Sequence, residues 1–354
     1  MRRVFITVHL KNLILIVTAC IAFIVITSIL LVGVGKNGEN AIINKNNSFE
    51  IKSDDDKVII KYSELPKISK VKVFITKENI IKELDLEEYV TGVVAGEMPA
   101  AFEPDALKAQ AVAARTYALA HVIEDGGSPC KNANGASLCD TTHCQVYVTK
   151  AERIKDWNKD NKNKGDQLWD KIKKAVEDTR AQVLTYNDEL VMEPYYFSTS
   201  SGKTENSEEV FSTSIPYLRS VESLGEETVK NAKSINNFKY EEIIKIINSN
   251  YNNAKVTTAS IKNQIKIIER TEGGSVKNIK VGNITMSGSK FRTMLGLKSS
   301  NFQMKFNSSG IEIDCSGYGH GVGMSQWGAN AMAKDGKSYT EILTHYYQGV
   351  AISK

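Results

Sequence analysis

The chain has 354 residues, of which 24% are charged and 42% are hydrophobic, and its formal net charge is +4. This composition is ordinary for a globular protein, and the length suits one large domain or two modest ones with an anchor. A net charge this small excludes binding to nucleic acid by charge alone, although it is compatible with an anionic envelope polymer.

The first element in the chain is an apolar segment from Leu13 to Val34 that carries no charged residue. As a helix it would be about 33 Å long, enough to cross a hydrocarbon core of about 30 Å. A cleaved secretory signal is the alternative, but its apolar core usually has only about 7–15 residues. Because Arg2, Arg3 and Lys11 precede the segment, the positive-inside rule predicts a cytoplasmic N-terminus. We therefore predict a single-pass cell membrane protein whose residues 1–35 form the N-terminus and the transmembrane helix.

The rest of the chain divides into a linker and a domain. Residues 36–57 are rich in Asn, Ser, Lys and Asp, which predicts a flexible stalk. Residues 58–354 are predicted to form one extracytoplasmic catalytic domain. Its short strands and helices lack regular βαβ alternation, so we expect a mixed α+β fold with antiparallel sheets and one long Ala-rich helix.

Hydrophobic periodicity and turn residues predict the elements of this domain in chain order. They are a hairpin (Val71–Ile75, Ile80–Leu84), a short helix (Leu86–Val93), the Ala-rich helix (Ala106–Glu124, with Asp105 as N-cap), an amphipathic helix (Gly165–Arg180), a hairpin (Val183–Tyr186, Leu190–Met192), a strand (Tyr195–Phe197), a helix (Tyr240–Asn248), a hairpin (Ile265–Ile268, Val276–Val281), a short helix near Phe291, a strand (Ile311–Asp314) and a final helix ending near Tyr347.

A single carboxylate, Glu97, lies between the first helix and the Ala-rich helix in the segment Gly96-Glu97-Met98-Pro99. Pro99 has no N–H and disfavours helical dihedrals at Met98, so we expect a bend to present Glu97. Catalytic carboxylates are often displayed in this way, although a solvated surface acid is the alternative.

A cysteine- and histidine-rich segment follows the Ala-rich helix. Cys139, His143 and Cys144 lie within six residues, and Cys130 precedes them by nine. Thiolate and imidazole are the ligands that zinc prefers, and a structural site takes four, so Cys130, a water or a more distant side chain would complete it. A Cys130–Cys139 or Cys139–Cys144 disulfide, or reduced thiols without a role, are the alternatives. No HExxH pattern is present, so any zinc here is predicted to be structural.

Two polar segments further along offer groups for ligand contact. Ser198–Asn206 supplies hydroxyls, amides and an ammonium directly after two tyrosines, and an ordinary polar loop is the alternative. Gly317–Gly328 contains His320 but no Lys-Ser/Thr pair, so it is not a phosphate-binding P-loop. Because a hydroxyl-rich loop after an aromatic strand suits the hydroxyls of sugars, we assign Ser200, Lys203 and Thr204 of the first segment to glycan contact.

Four blocks together resemble the stage II sporulation protein D family of lytic transglycosylases, over roughly Val71 to Val350. The blocks read VVAGEMPAAFEPDALKAQAVAARTYAL, CDTTHCQVY, YYFSTSSGKTENSEEVF and GYGHGVGMSQWGA. The resemblance implies cleavage of the bond between N-acetylmuramic acid and N-acetylglucosamine in peptidoglycan, with Glu97 as general acid and base and with zinc in the cysteine region. It also places His320, Gln326 and Trp327 around the sugar cleft and gives Gln110 and Arg115 a buried role beside Glu97, either in substrate contact or in fixing the carboxylate. The aromatic faces of Tyr195 and Tyr196, which can stack on pyranose rings, add to the predicted cleft.

The resemblance further implies a biological setting. The enzyme would act on glycan strands already stripped of stem peptides, on the mother-cell side of the septum during engulfment. An amidase and other engulfment proteins would be its partners.

Most glycosidases need two carboxylates, about 5–5.5 Å apart for retention and about 6.5–9.5 Å apart for inversion. No convincing partner for Glu97 is evident, which fits an enzyme with one acid/base. Its apolar neighbours, Val94, Met98 and Phe102, predict a raised pKa for the Glu97 carboxyl. The alternatives from other classes are a zinc-dependent amidase or peptidase, a non-catalytic peptidoglycan-binding protein and, more remotely, a serine hydrolase using Ser200 and His320.

Overall fold

A computed structural model of the chain describes residues 61, 69–122, 127–161, 164–230 and 232–354. These residues form a mixed α+β arrangement of ten helices and five small sheets. The helices are α1 (Leu86–Glu97), α2 (Pro104–Ala120), α3 (Lys150–Asn161), α4 (Gly165–Asp178), α5 (Ser207–Phe211), α6 (Tyr240–Asn250), α7 (Ile261–Gln264), α8 (Gly288–Leu295), α9 (Gln326–Lys334) and α10 (Tyr339–Tyr346).

The sheets have two or three strands each, and most of the strand pairs are antiparallel. The strands are β1 (Lys70–Ile75), β2 (Ile80–Asp85), β3 (Leu138–Cys139), β4 (Val183–Tyr186), β5 (Glu189–Leu190), β6 (Tyr196–Phe197), β7 (Lys233–Lys239), β8 (Ile265–Arg270), β9 (Val276–Val281), β10 (Ile284–Ser287), β11 (Phe302–Phe306), β12 (Gly310–Ser316), β13 (Met324–Ser325) and β14 (Ala351–Ser353). Their order is β2-β1-β3, β10-β9-β8, β11-β12-β7, β13-β6 and β14-β4-β5.

Helix α1 begins and ends where its sequence dictates. The Asp85 side chain accepts hydrogen bonds from the backbone N–H groups of Glu87 and Glu88, at 2.9 and 3.1 Å, so it caps the first turn. At the other end Met98 is extended, with φ −118° and ψ 145°, because Pro99 disfavours a helical residue before it. The helix therefore reaches Glu97, four residues beyond its predicted end.

Helix α2 lies at the centre of the larger hydrophobic core. It starts with Pro104 in the first turn, a position where the missing N–H costs no helical hydrogen bond. Nearly every residue from Ala106 to Ala120 is buried, and the helix packs against α1, α4, α9, α10 and β4. Its alanines permit this because small side chains allow neighbouring elements to approach from all sides. The predicted end at Glu124 lies outside the described residues.

A second hydrophobic core belongs to residues 233–316. Two three-stranded sheets, β11-β12-β7 and β10-β9-β8, enclose it together with α6 and α8. Ile243, Ile279, Phe291 and Ile313 are fully buried there. The predicted hairpin, the two helices and the strand Ile311–Asp314 of this region form, whereas β7, β10 and β11 were not predicted.

Two predictions about the N-terminal part need correction. The expected fold class included a transmembrane helix, but no helix in the part of the chain that the structure describes is long and apolar enough to span a membrane. The expected span, Leu13–Val34, lies outside the described residues, as does most of the stalk. The single-pass localisation depended on that span and is withdrawn with it. The domain boundaries after residues 35 and 57 stay predictions.

Candidate active site

Glu97 is the last residue of α1, so a helix end rather than a bend presents its carboxylate. The backbone N–H of Val146 donates to Oε1 at 2.7 Å, and the Gln326 amide donates to Oε2 at 3.4 Å. The nearby apolar residues Met98 and Phe102 are buried, and Glu97 itself is half-buried. Burial raises the pKa of the Glu97 carboxyl, and the two hydrogen bonds partly oppose that rise.

Two glycines of α1 allow the segment after the cysteine cluster to lie directly on the helix. A Cβ at Gly96 would stand 2.4 Å from the carbonyl oxygen of Val146, and one at Gly92 would stand 2.6 Å from that of Val148. Such distances are far below any normal contact, so only glycine permits this approach. The close packing brings the Val146 N–H onto the Glu97 carboxylate.

Gln110 and Gln326 form an amide pair beside Glu97. The Gln326 Nε2 also lies 3.5 Å from the Gln110 Oε1, and both side chains are buried. The Gln110 Nε2 has no hydrogen-bond partner among the described residues. A buried donor without a partner is costly, so a bound ligand that accepts from it would gain affinity.

Tyr196 lies close enough to Glu97 for the charge of the carboxylate to contribute to the raised pKa of its hydroxyl. Its hydroxyl donates to the Gln145 Oε1 at 2.9 Å, and the Gln145 amide lies 3.2 Å from the Tyr89 hydroxyl. Burial raises the pKa of Tyr196 well above its usual value, so the hydroxyl stays protonated. Glu97, Gln110, Gln145, Tyr196 and Gln326 therefore form one polar group, which we call the Glu97 cluster.

Trp327 lies next to this cluster. It follows Gln326 in α9, and its ring packs edge-to-face on Phe102, with the ring centroids 4.7 Å apart. It is half-buried.

His320 and Tyr195 lie elsewhere. Tyr195 directly precedes β6, and its ring lies beside those of Phe211 and His320, whereas the hydroxyl of Tyr196 binds Gln145. His320 is surrounded by the rings of Tyr195, Phe197 and Phe211, at centroid distances of 6.1, 5.7 and 5.4 Å. Its Nδ1 accepts from the Val322 N–H at 3.1 Å. Burial lowers the pKa of His320 to about 4, so the imidazole is neutral at physiological pH.

The three residues of the Ser198–Asn206 loop that were assigned to glycan contact form no hydrogen bond with the Glu97 cluster in the part of the chain that the structure describes. Ser200 and Lys203 line a small cavity with His320, and Lys203 forms an exposed ion pair with Glu272 at 2.6 Å. Thr204 is fully buried: its Oγ1 accepts from the Val221 N–H at 2.9 Å, so the side chain holds the loop in place rather than facing a ligand.

Arg115 does not reach Glu97. Its guanidinium is fully buried and binds both oxygens of Glu87, at 2.9 and 2.6 Å, with further hydrogen bonds to the carbonyls of Val176 and Gln182. These contacts join α2 to α1, to the end of α4 and to the segment after it, and the role of Arg115 in the sugar cleft stays a prediction.

The structure brings Cys130, Cys139, His143 and Cys144 together, with all their ligand atoms within 4.8 Å of one another. The Cys139 and Cys144 sulfurs are 3.5 Å apart and the Cys130 sulfur is 3.3 Å from the His143 Nδ1, so neither of the two considered disulfides is formed. A tetrahedral zinc with Zn–S of about 2.3 Å and Zn–N of about 2.0 Å separates its ligand atoms by about 3.5–3.8 Å, so these residues fit the ion. They would hold it through four protein ligands.

Sequence reasoning missed a buried carboxylate, Glu226. Its oxygens accept from the hydroxyls of Ser325 and Ser223 and from the Ser200 N–H, at 2.6, 2.7 and 2.8 Å. Ser325 in turn caps the first turn of α9, directly before Gln326. Glu226 stands in a segment without clear periodicity, so no pattern marked it. Gln145 and Val146 were also missed, although they follow the last cysteine of the cluster directly.

Comparison with known proteins gives consistent matches. The family model described as stage II sporulation protein matches residues 75–186. Stage II sporulation protein D of Bacillus amyloliquefaciens is 39% identical over 284 residues, which cover 80% of this chain and 78% of that protein. The protein of the same name from Bacillus subtilis (strain 168) is 38% identical, covering 80% and 79%. The amidase enhancer of Bacillus subtilis (strain 168) is 32% identical over 74% of this chain and 40% of its own length. The chain therefore belongs to the stage II sporulation protein D family.

Proposed function

We propose that the protein is a lytic transglycosylase that cleaves peptidoglycan glycan strands during sporulation, with Glu97 as its only general acid and base. The observation that carries this proposal is the Glu97 carboxylate itself. It is half-buried, its pKa is raised by burial, and none of the described carboxylates contacts it. A hydrolase of the usual kind needs two carboxylates at a fixed separation.

The proposed reaction uses the one carboxyl twice. Protonated Glu97 gives its proton to the oxygen that links C1 of N-acetylmuramic acid to the next sugar, and the C1–O bond breaks. The resulting carboxylate takes the proton of the muramic C6 hydroxyl as that oxygen bonds to C1. The product is a 1,6-anhydro end, no water is consumed, and Glu97 returns to its protonated state.

The contacts of Glu97 suit this double role. Burial favours the protonated form that starts the reaction. The donors of Val146 and Gln326 favour the carboxylate that follows proton transfer. Because the two influences oppose each other, neither form is strongly excluded, as an acid that must become a base requires.

The metal group supports a structural role and speaks against a zinc amidase. Four protein ligands fill a tetrahedral site, whereas a catalytic zinc keeps one position for water or substrate. Zinc held by these residues would fix the loop that ends at Val146, and so the donor to Glu97.

The name of the relative called amidase enhancer supports an amidase as partner. An amidase that removes stem peptides would supply the peptide-free strands on which we propose that this enzyme acts.

Mass spectrometry of the products from peptide-free glycan strands tests the proposal. The full-length protein should release 1,6-anhydro ends and Glu97→Gln should not, while Glu88→Gln, an exposed acid on the same helix, should behave as wild type. Reducing ends would mean hydrolysis and refute the mechanism. Binding without any product would favour a non-catalytic peptidoglycan-binding protein.

A further inference from the structure

A cavity of about 370 Å³ opens beside Trp327 on the outer side of α9. Its volume falls in the range of about 300–1,000 Å³ that is usual for small-molecule sites. It is lined by Gly225, Thr228, Val229, Lys230, Trp327, Asn330, Ala331, Lys334 and Asp335.

One wall of this cavity suits a sugar ring. The Trp327 ring is held in place by its edge-to-face contact with Phe102, while the side chain stays only half-buried. A fixed, partly exposed indole offers a flat apolar surface with little loss of side-chain freedom on binding, which is what the C–H face of a pyranose needs.

The charges of the cavity suit an acid. Lys230 and Lys334 supply two ammonium groups and Asp335 supplies one carboxylate, all on exposed residues. Neither lysine forms an ion pair with a residue that the structure describes. The cavity therefore carries an excess of positive charge that a carboxylate on a bound sugar would complement.

The cavity adjoins the Glu97 cluster. Gln326, whose amide donates to Glu97, directly precedes Trp327, and consecutive helical residues are turned by about 100° from each other. At the start of α9, Gln326 thus faces the Glu97 carboxylate and Trp327 faces the cavity. An extended polymer lying over this end of the helix would contact both the carboxylate and the cavity.

We propose that this cavity is a subsite for a muramic acid unit with a free lactyl carboxylate, its ring against Trp327 and its carboxylate between Lys230 and Lys334. The proposal deepens the proposed function and rests on it. A stem peptide converts that carboxylate into a neutral amide, so the two lysines would distinguish peptide-free strands from substituted ones by charge.

Binding measured by calorimetry tests the subsite without turnover. The full-length Glu97→Gln protein is titrated with short peptide-free strands and with the same strands after their carboxylates are converted to methylamides. Two exposed ammonium–carboxylate contacts should give the free acid an affinity about fivefold higher, and salt should reduce this preference. Lys230→Gln with Lys334→Gln should abolish the preference, and Trp327→Ala should weaken both strands alike.

The matched control is Lys262→Gln with Lys266→Gln, which removes the same charge from exposed sites in the second core region. It should keep the preference. A preference that survives loss of Lys230 and Lys334, or the absence of binding to either strand, overturns the subsite. Because the readout is binding, a lysine-dependent preference without any anhydro product in the wild type would refute the transglycosylase and leave the subsite standing.

Discussion

The buried ion pair of Arg115 and Glu87 gives the sharpest test of whether Arg115 stabilises the fold or contacts substrate. The guanidinium is 0% exposed and the Glu87 side chain 15% exposed, and two short hydrogen bonds join them. Removing one partner of a buried pair costs about 3–5 kcal/mol, because the other charge stays buried without compensation. One kcal/mol shifts the melting temperature of a large domain by about 2–4 °C, so Arg115→Met should lower Tm by about 6–20 °C.

Thermal unfolding followed by calorimetry, beside glycan binding at 20 °C, separates structure from substrate contact. Glu87→Gln should lower Tm in the same direction, and the two changes together should cost less than their sum, because both remove one interaction. Lys108→Met, an exchange on the same helix at a partly exposed pair with Asp178, should shift Tm by no more than about 3 °C. If Arg115→Met keeps the wild-type Tm but loses glycan binding, Arg115 contacts substrate and our interpretation is wrong.

Three further outcomes follow from the site. Glu226→Ala should lower the free energy of unfolding by about 3 kcal/mol, because three donors lose a buried acceptor, and Glu226→Gln should lower it by less. A denaturant midpoint equal to that of the wild type would contradict this. Removal of any bound metal, or Cys144→Ser, should lower both Tm and the rate of strand cleavage, with the metal content checked by mass spectrometry. Full activity in metal-free protein would show that the metal does not position the Val146 N–H on Glu97. Gly96→Ala should reduce cleavage through the displaced Val146 N–H, and unchanged kcat would contradict the proposed positioning.

The raised pKa of Glu97 also makes a prediction about stability. An ordinary glutamate has a pKa of about 4.3, and burial raises that of Glu97 in the folded protein. The folded state therefore holds a proton more tightly than the unfolded state, and the wild type loses stability as pH rises from the ordinary range through the raised pKa. Glu97→Gln escapes this loss. The Tm of Glu97→Gln should equal that of the wild type at low pH and should exceed it increasingly as pH rises from the ordinary glutamate pKa through the raised one. A difference in Tm that does not change with pH would refute the inference that burial raises the pKa of Glu97.

Local sequence signals predicted the elements whose causes are local. The β1–β2 hairpin, the amphipathic helix α4 and the final helix α10 each depend on residues within one segment, and each is found. Strands such as β7 alternate between exposed and half-buried residues and contain Asn and Lys, so their pairing with β12 depends on tertiary contacts that no local pattern reveals.

The candidate site was harder to predict because chain proximity does not fix the face on which a side chain lies. Tyr195 and Tyr196 are neighbours in sequence, yet the ring of Tyr195 lies beside His320 and the hydroxyl of Tyr196 binds Gln145. Arg115 and Gln110 likewise lie on one helix, but Gln110 lies beside Gln326 near Glu97, whereas Arg115 pairs with Glu87 at the other end of α1. Predicting that separation requires the packing of α1 on α2, which the sequence does not display.

The candidate metal ligands and the proposed catalytic carboxylate are parts of one arrangement. Cys144 is two residues from Val146, whose N–H holds Glu97, and the intervening Gln145 holds the Tyr196 hydroxyl. A backbone N–H can hold a carboxylate in one position only if its own segment is fixed. This segment is restrained by the candidate metal ligands that precede it and by its close packing on the two glycines of α1. A structural metal held by these ligands would therefore affect the proposed catalysis from a distance, because it would fix the one backbone N–H that binds the Glu97 carboxylate.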